Sequence, residues 1–435
     1  MHYDNKGIHM SFSTQTNRNN LNVPKPFKLD RLSVIREVYR SLINTGRTYA
    51  SFKENEVYPL VEKLADRNEI LDPMSGYGLL TRYCSKIGIT AYCIELNPPQ
   101  YFWQILSLPS NASVLITTIQ MTKNEKIFCH NKFPTAIESD DWFTEESKQI
   151  LREIFALIQS NLNKDCGIKS KVEELSLSLL MPFVGRLSCS VPGDNSTQIK
   201  QGGICVYKDW ENDYRDYLCA LQAYLNDIPR GSKSNSHVVQ LGDCRTIRLP
   251  EKRFSAMITS PPYPNHRDYF TMFAPENNFL DWMNSENVIG KYRLHDFVIG
   301  SNFVSGRPIP AVRTKATRRF LHALEEFRGS ARAINDNRVY YIPYFAHYFH
   351  ELEQSYYNIA ISLRRDFEGY IIVVDNTTRN MVIPVSESII EIWKNMGFKT
   401  EIIQEREKFH LGTKNPRARG FKAKHREYTI RVWRR

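Results

Sequence analysis

Glu69-Ile70-Leu71-Asp72-Pro73-Met74-Ser75-Gly76-Tyr77-Gly78 is the stretch that decides how this chain folds. A short apolar run ends in an acid, a turn rich in glycine follows, and Leu79 to Ile87 then has helical spacing up to a stop at Gly88. Tyr92-Cys93-Ile94-Glu95 reads as a second strand. Strand, helix and strand in this order predict a β-α-β unit and a parallel sheet. The glycines let the backbone turn tightly and approach a ligand at a helix N-terminus. The same Gly-x-Gly pattern also occurs as a plain turn.

The reading widens in both directions from this unit. Upstream, Arg31 to Ile43 and Tyr58 to Ala65 have helical spacing, and Met1 to Asp30 is a polar, Asn-rich tail expected to be flexible. Downstream, Gln100 to Ser236 reads as largely helical, with apolar stripes in Ile150 to Ile158 and Trp210 to Leu225, and a mobile loop expected over Ser188 to Gly203. The strand pattern resumes at Val238–Leu241, before Gly242-Asp243, and again at Phe254–Thr259. A basic, irregular stretch from Met283 to Asn337 separates these from three expected elements: the strand Tyr370–Asp375, the helix Ser386–Asn395 and the strand Thr400–Gln404. Glu427–Trp433 closes the chain as an alternating strand. The expected division is tail 1–30, core 31–99, helical insertion 100–235, core 236–282, basic insertion 283–337 and core 338–435.

The chain has 435 residues, 42% of them hydrophobic, a formal net charge of +11 and a pI of about 9.1. That length supports one large domain with insertions or two domains. The charge suits a polyanionic partner, nucleic acid before an anionic membrane surface. No stretch is long and apolar enough to cross a bilayer, and the N-terminus has no apolar signal segment, which points to the cytoplasm. The 8 Cys form no C-x-x-C pair, so reduced core thiols are expected, with neither a disulfide framework nor a metal site.

Two further elements carry chemistry. Glu95 ends the second strand about twenty residues after the glycine turn, where an acid can accept both hydroxyls of a ribose. A solvent-exposed strand-end carboxylate would look the same. No phosphate loop of the Gly-x-x-x-x-Gly-Lys type is present, which points to a cofactor without phosphates, such as S-adenosylmethionine. The sharper signal is Thr259-Ser260-Pro261-Pro262-Tyr263. Two prolines stop a strand and fix the backbone, so a hydroxyl, carbonyls and an aromatic face are presented together. A strand terminator with a packed tyrosine is the plainer alternative.

Asp72 to Gly78 resembles the cofactor loop of amino-methylating DNA methyltransferases, and Thr259 to Tyr263 is similar to their catalytic S/D/N-P-P-Y loop, the serine form looking like the N4-cytosine branch. More narrowly, the chain resembles bacterial site-specific DNA methylases with a long helical insertion, whose loop runs on into an Asp-Tyr, as Asp268-Tyr269 does here. The match covers Glu69 to Pro99, Val238 to Phe270 and, more loosely, Val339 to Arg435. Met74 stands where the family has an aromatic, and Tyr77 where it has a small residue. The resemblance implies a class I methyltransferase (Rossmann-like) α/β fold, a seven-stranded, mostly parallel sheet carrying the helical and basic insertions. It implies S-adenosylmethionine held by Asp72, Pro73, Met74, Ser75, Gly76, Tyr77 and Gly78, with Glu95 on the ribose, Leu96 along the adenine and Asp243 on the adenine amino group. Ser51 and Phe52 would close over the methionine end. Ser260, Pro261, Pro262 and Tyr263 would act on a base flipped out of duplex DNA.

Arg307, Arg313, Lys315, Arg318 and Arg319, with Lys414, Arg417 and Arg419 near the C-terminus, are the expected phosphate contacts; a solvated charged face would have the same composition. A cognate restriction endonuclease is a partner implied by the family. Methylation at cytosine C5 is disfavoured, since that chemistry uses a Cys after a proline and no Pro-Cys occurs. Two alternatives stay open, an RNA base methyltransferase and a methylase-like DNA-binding subunit without activity.

Overall fold

β1 (Glu69–Asp72) and β2 (Thr90–Glu95) pair in parallel, Glu69 opposite Thr90 and Asp72 opposite Cys93. The computed structural model describes residues 54–125, 142–163, 168–192, 197–199, 210–228, 237–264, 273–285, 298–301, 304, 306–409 and 424–434. The expected tail, the helix at Arg31–Ile43, Ser51 and Phe52, Asp268 to Phe270, and Lys414, Arg417 and Arg419 lie outside these residues.

Five more strands complete the sheet: β3 (Val238–Leu241), β4 (Phe254–Thr259), β5 (Leu363–Asp375), β6 (Lys399–Phe409) and β7 (Lys424–Trp433). Their order is β3-β2-β1-β4-β5-β7-β6. The strands from β3 to β5 run parallel, and β7 runs antiparallel to both β5 and β6. The result is the α/β, mostly parallel, Rossmann-like sheet expected from the sequence. Every residue of β2 is buried, as a strand covered on both faces requires.

Alternation along the strands divides the core. Ile70, Ala91, Cys93, Ala256 and Ile258 point to one face, under α1 (Glu54–Lys63) and α2 (Leu79–Ile87). Leu71, Tyr92, Ile94, Met257 and Ile371 point to the other. There they meet α9 (Lys315–Glu325), α11 (Ile342–Ile361) and α12 (Val385–Asn395).

The helical insertion has its own core. α3 (Pro98–Leu106), α4 (Pro109–Asn124), α5 (Glu145–Asn163), α6 (Lys169–Val184) and α7 (Trp210–Asn226) bury Phe102, Leu151, Phe155, Leu180 and Tyr217 together. Helix α8 (Ala274–Ser285), which follows the Ser-Pro-Pro loop, adds Phe279, Leu280 and Met283 to the same cluster. The insertion is thereby anchored beside both motif loops.

Several expectations need correcting. The stretch Met283 to Asn337 holds α9 and the short α10 (Ala331–Asp336), because Ala316, Thr317, Phe320, Leu321 and Leu324 make a buried stripe among the cations. Within Ser188 to Gly203, Ser190–Pro192 pairs antiparallel with Thr197–Ile199. Cys189 is disulfide-bonded, whereas Cys84, Cys93, Cys219 and Cys244 are free thiols. A bridge depends on the fold bringing two chain segments together, and spacing alone does not reveal it. Among the described residues no helix is long and apolar enough to cross a membrane, and no group of three His, Cys, Asp or Glu is placed to hold a metal ion.

Candidate active site

The glycine turn is built around backbone geometry that only glycine takes easily. Gly76 and Gly78 have φ of 54° and 69°, and Gly78 caps the start of α2. A Cβ on Gly78 would lie 2.6 Å from Cγ of Gln104. Gln104, on α3, holds the turn from outside: its Nε2 donates to Ser75 Oγ at 2.8 Å and to the Gly76 carbonyl at 2.7 Å. Ser75 donates through both its N–H and its hydroxyl to the Ile94 carbonyl, at 3.0 and 2.9 Å. The turn after β1 is therefore fastened to the end of β2.

Asp72 fastens it to β4. Its fully buried carboxylate accepts the Thr259 hydroxyl at 2.8 Å and the Met74 N–H at 3.2 Å through Oδ1. Its Oδ2 is buried without a partner among the described residues. Burial pushes the carboxyl up to about 7, against the pull of those two donors. Glu95 is pushed up to about 8, again by burial, although the N–H groups of Asn97, Gly76 and Leu96 bond its carboxylate.

These pieces meet in one cleft. Pro73, Met74, Ser75, Gly76, Tyr77 and Leu79 line one side. Glu95, Leu96, Asn97 and Gln100 contribute from β2 and the start of α3, and Gly242, Asp243 and Cys244 from the turn after β3. Ser260, Pro261 and Pro262 face them from the end of β4, and Val298 and Ile299 from the second insertion complete the wall. β1 and β4 are neighbours where the strand order reverses, which is where an open α/β sheet leaves a crevice beyond its carboxyl ends. No Lys or Arg is among the described residues that line the cleft, while two carboxylates, Glu95 and Asp243, are.

Around the Ser-Pro-Pro loop, Ser260 Oγ lies 3.3 Å from the Tyr263 hydroxyl, and Tyr348 on α11 donates to the Pro262 carbonyl at 2.9 Å. Tyr263 is half-buried and is not among the residues lining the cleft. Tyr77 packs edge-on against Trp103 of α3, ring centres 5.1 Å apart, and lies near Phe273, just before α8. Asp243 is engaged on its far side, where Arg245 reaches it through Nε and a terminal nitrogen at 2.7–3.0 Å.

Searched against protein-family models and against curated proteins, the chain matches none.

The expected phosphate contacts lie apart from this cleft. Arg307 is half-buried and paired with Glu351 at 2.9 Å. Arg313 is exposed over the Tyr357 ring. Lys315, Arg318 and Arg319 are exposed on α9, where Arg319 pairs with Glu387 of α12. Sequence reasoning missed Asn97, Gln100, Gln104, Cys244, Val298 and Ile299. Asn97 and Gln100 had a visible signal, since they directly follow Glu95 at the start of a helix. Ile299 and Gln104 had none.

Proposed function

We propose that the chain is an S-adenosylmethionine-dependent methyltransferase acting on the exocyclic amino group of a base in DNA, N4 of cytosine before N6 of adenine. One observation carries this reading: the glycine turn, the strand-end Glu95 and the Ser260-Pro261-Pro262 loop line a single cleft at the point where the strand order reverses. The cleft's chemistry fits the cofactor. Two acids and no lysine or arginine among its described lining suit a cationic ligand without phosphates. Met74, Leu79, Leu96 and Ile299 suit the apolar faces of an adenine, and the unpartnered Asn97 Oδ1 leaves an acceptor for a donor of the ligand.

In this reading Glu95 holds the ribose hydroxyls, Leu96 packs along the adenine and Asp243 accepts its amino group with the oxygen face that Arg245 leaves open. The glycine turn brings backbone close to the methionine portion. When bound, S-adenosylmethionine supplies an electrophilic methyl group on a sulfonium. The amino group of a base is a weak nucleophile because its lone pair is delocalised into the ring. Ser260 Oγ and the Pro261 carbonyl accept its two N–H groups and turn the lone pair toward the methyl, so that orientation and charge placement lower the barrier. Tyr263, outside the cofactor cleft, is placed to stack on the base. Extruding that base from a duplex costs roughly a few kcal/mol, which contacts in the bound state must offset. Duplex DNA is the proposed partner, with a restriction endonuclease as a proposed companion.

The test is mass spectrometry of nucleosides from host DNA carrying this chain. The expected result is N4-methylcytosine, absent with Ser260→Ala. Methylated adenine instead moves the reading to the other branch, and unmodified DNA overturns it.

A further inference from the structure

Asp243 borders a second cleft as well as the first. One wall is the outer face of α11, with His347, His350, Glu353 and Tyr357, and the opposite wall includes Arg307 and Arg313. The polar atoms in this wall are unusual. His347 is 7% exposed and Glu353 is 5% exposed, yet His347 Nε2 and Glu353 Oε1 have no hydrogen-bond partner among the described residues, and His350 Nδ1 also has none. Proteins rarely leave such atoms unmet, because each has given up water for nothing. Three of them facing one cavity point to a ligand that supplies the missing partners.

The neighbours indicate what those partners are. Two of the cleft's cations are already matched to acids. Arg245 is bonded to Asp243 and lies 3.6 Å from Glu351, and Arg307 pairs with Glu351 at 2.9 Å. Burial, helped by the adjacent Arg307 and His350, pulls His347 down to about 4, so its ring is uncharged at neutral pH. An uncharged imidazole and a carboxylate are acceptors in search of N–H groups. The unmet carboxylate also repels a phosphate or a carboxylate ligand. Tyr357, with the Arg313 guanidinium over its ring at 5.7 Å, offers a flat surface for stacking.

We propose that this second cleft binds a nucleobase, its N–H edge turned to Glu353 and the two histidines. The inference rests on the cleft's own side chains and stands whether or not the first cleft transfers methyl groups. The base could be that of a free nucleoside or one displaced from a polynucleotide.

The test is calorimetric titration of the full chain with deoxyguanosine, deoxycytidine, deoxyadenosine and thymidine, and with a short single-stranded oligonucleotide. An amino-bearing base is expected to bind more tightly than thymidine, with Glu353→Gln weakening it about tenfold or more, in line with loss of a charge-assisted hydrogen bond. His350→Ala, at a half-buried position, should weaken it too and serves as the second variant should Glu353→Gln fail to fold. Binding of free nucleosides with this dependence assigns a free ligand, and binding of the oligonucleotide alone with the same dependence assigns a strand. Binding that survives both substitutions belongs elsewhere and overturns the proposal, as does no binding at all.

Discussion

Asp72 carries a carboxylate to a place without water and makes it the joint between two loops. Its ordinary value of 3.8 rises to about 7 through burial. Between those two values the folded state keeps a proton that the unfolded chain has lost. The group's contribution to stability is therefore intact below about pH 4, falls as the pH rises and is fully lost above about pH 7. Asp72→Asn keeps an acceptor for Thr259 and Met74 and removes the titration. Thermal melting should show wild type losing ground to this variant from pH 5 to pH 8, and parallel curves would contradict the assignment. Gly78→Ala must force a left-handed φ on a residue whose new Cβ meets Gln104 at 2.6 Å. It should lower stability by at least about 1 kcal/mol, read from the urea midpoint. The acid and the glycines were legible in the sequence because the turn dictates their residue types. Their partners Thr259 and Gln104 were not, because those contacts arise only when the sheet and the insertion assemble.

Local pattern placed β1, α2, β3 and β4 with correct bounds, since each is short, apolar and bracketed by Gly, Pro or Asp. It missed α11, whose aromatic residues surround the helix, with Tyr344, Phe345, Tyr348, Phe349 and Tyr356 all buried, so that no polar face marks its period. It also began β5 at Tyr370, although the strand starts at Leu363, because the exposed Arg364, Arg365 and Asp366 read as a loop. α11 matters to the site, since Tyr348 braces the Ser-Pro-Pro loop through the Pro262 carbonyl at 2.9 Å. Tyr348→Phe should cost about 1 kcal/mol of stability and slow methyl transfer while leaving the affinity for S-adenosylmethionine unchanged. A drop in that affinity would show that the hydroxyl acts on the cofactor cleft and not on the loop.

At the scale of the molecule, one sheet brings together segments separated by more than half the insertion-laden chain. Asp72 and Thr259 are 187 residues apart in sequence and share a hydrogen bond because β1 and β4 are neighbours. The account depends on the crevice this creates accepting a sulfonium cofactor on one side and a base on the other. Calorimetric titration with S-adenosylmethionine tests that most directly. Wild type and Ser260→Ala should bind with similar affinity, while Glu95→Gln should bind at least about tenfold more weakly, as expected when a charge-assisted bond to the ribose is lost. Wild type that takes up no S-adenosylmethionine, or Glu95→Gln that binds it as well as wild type does, would contradict the account.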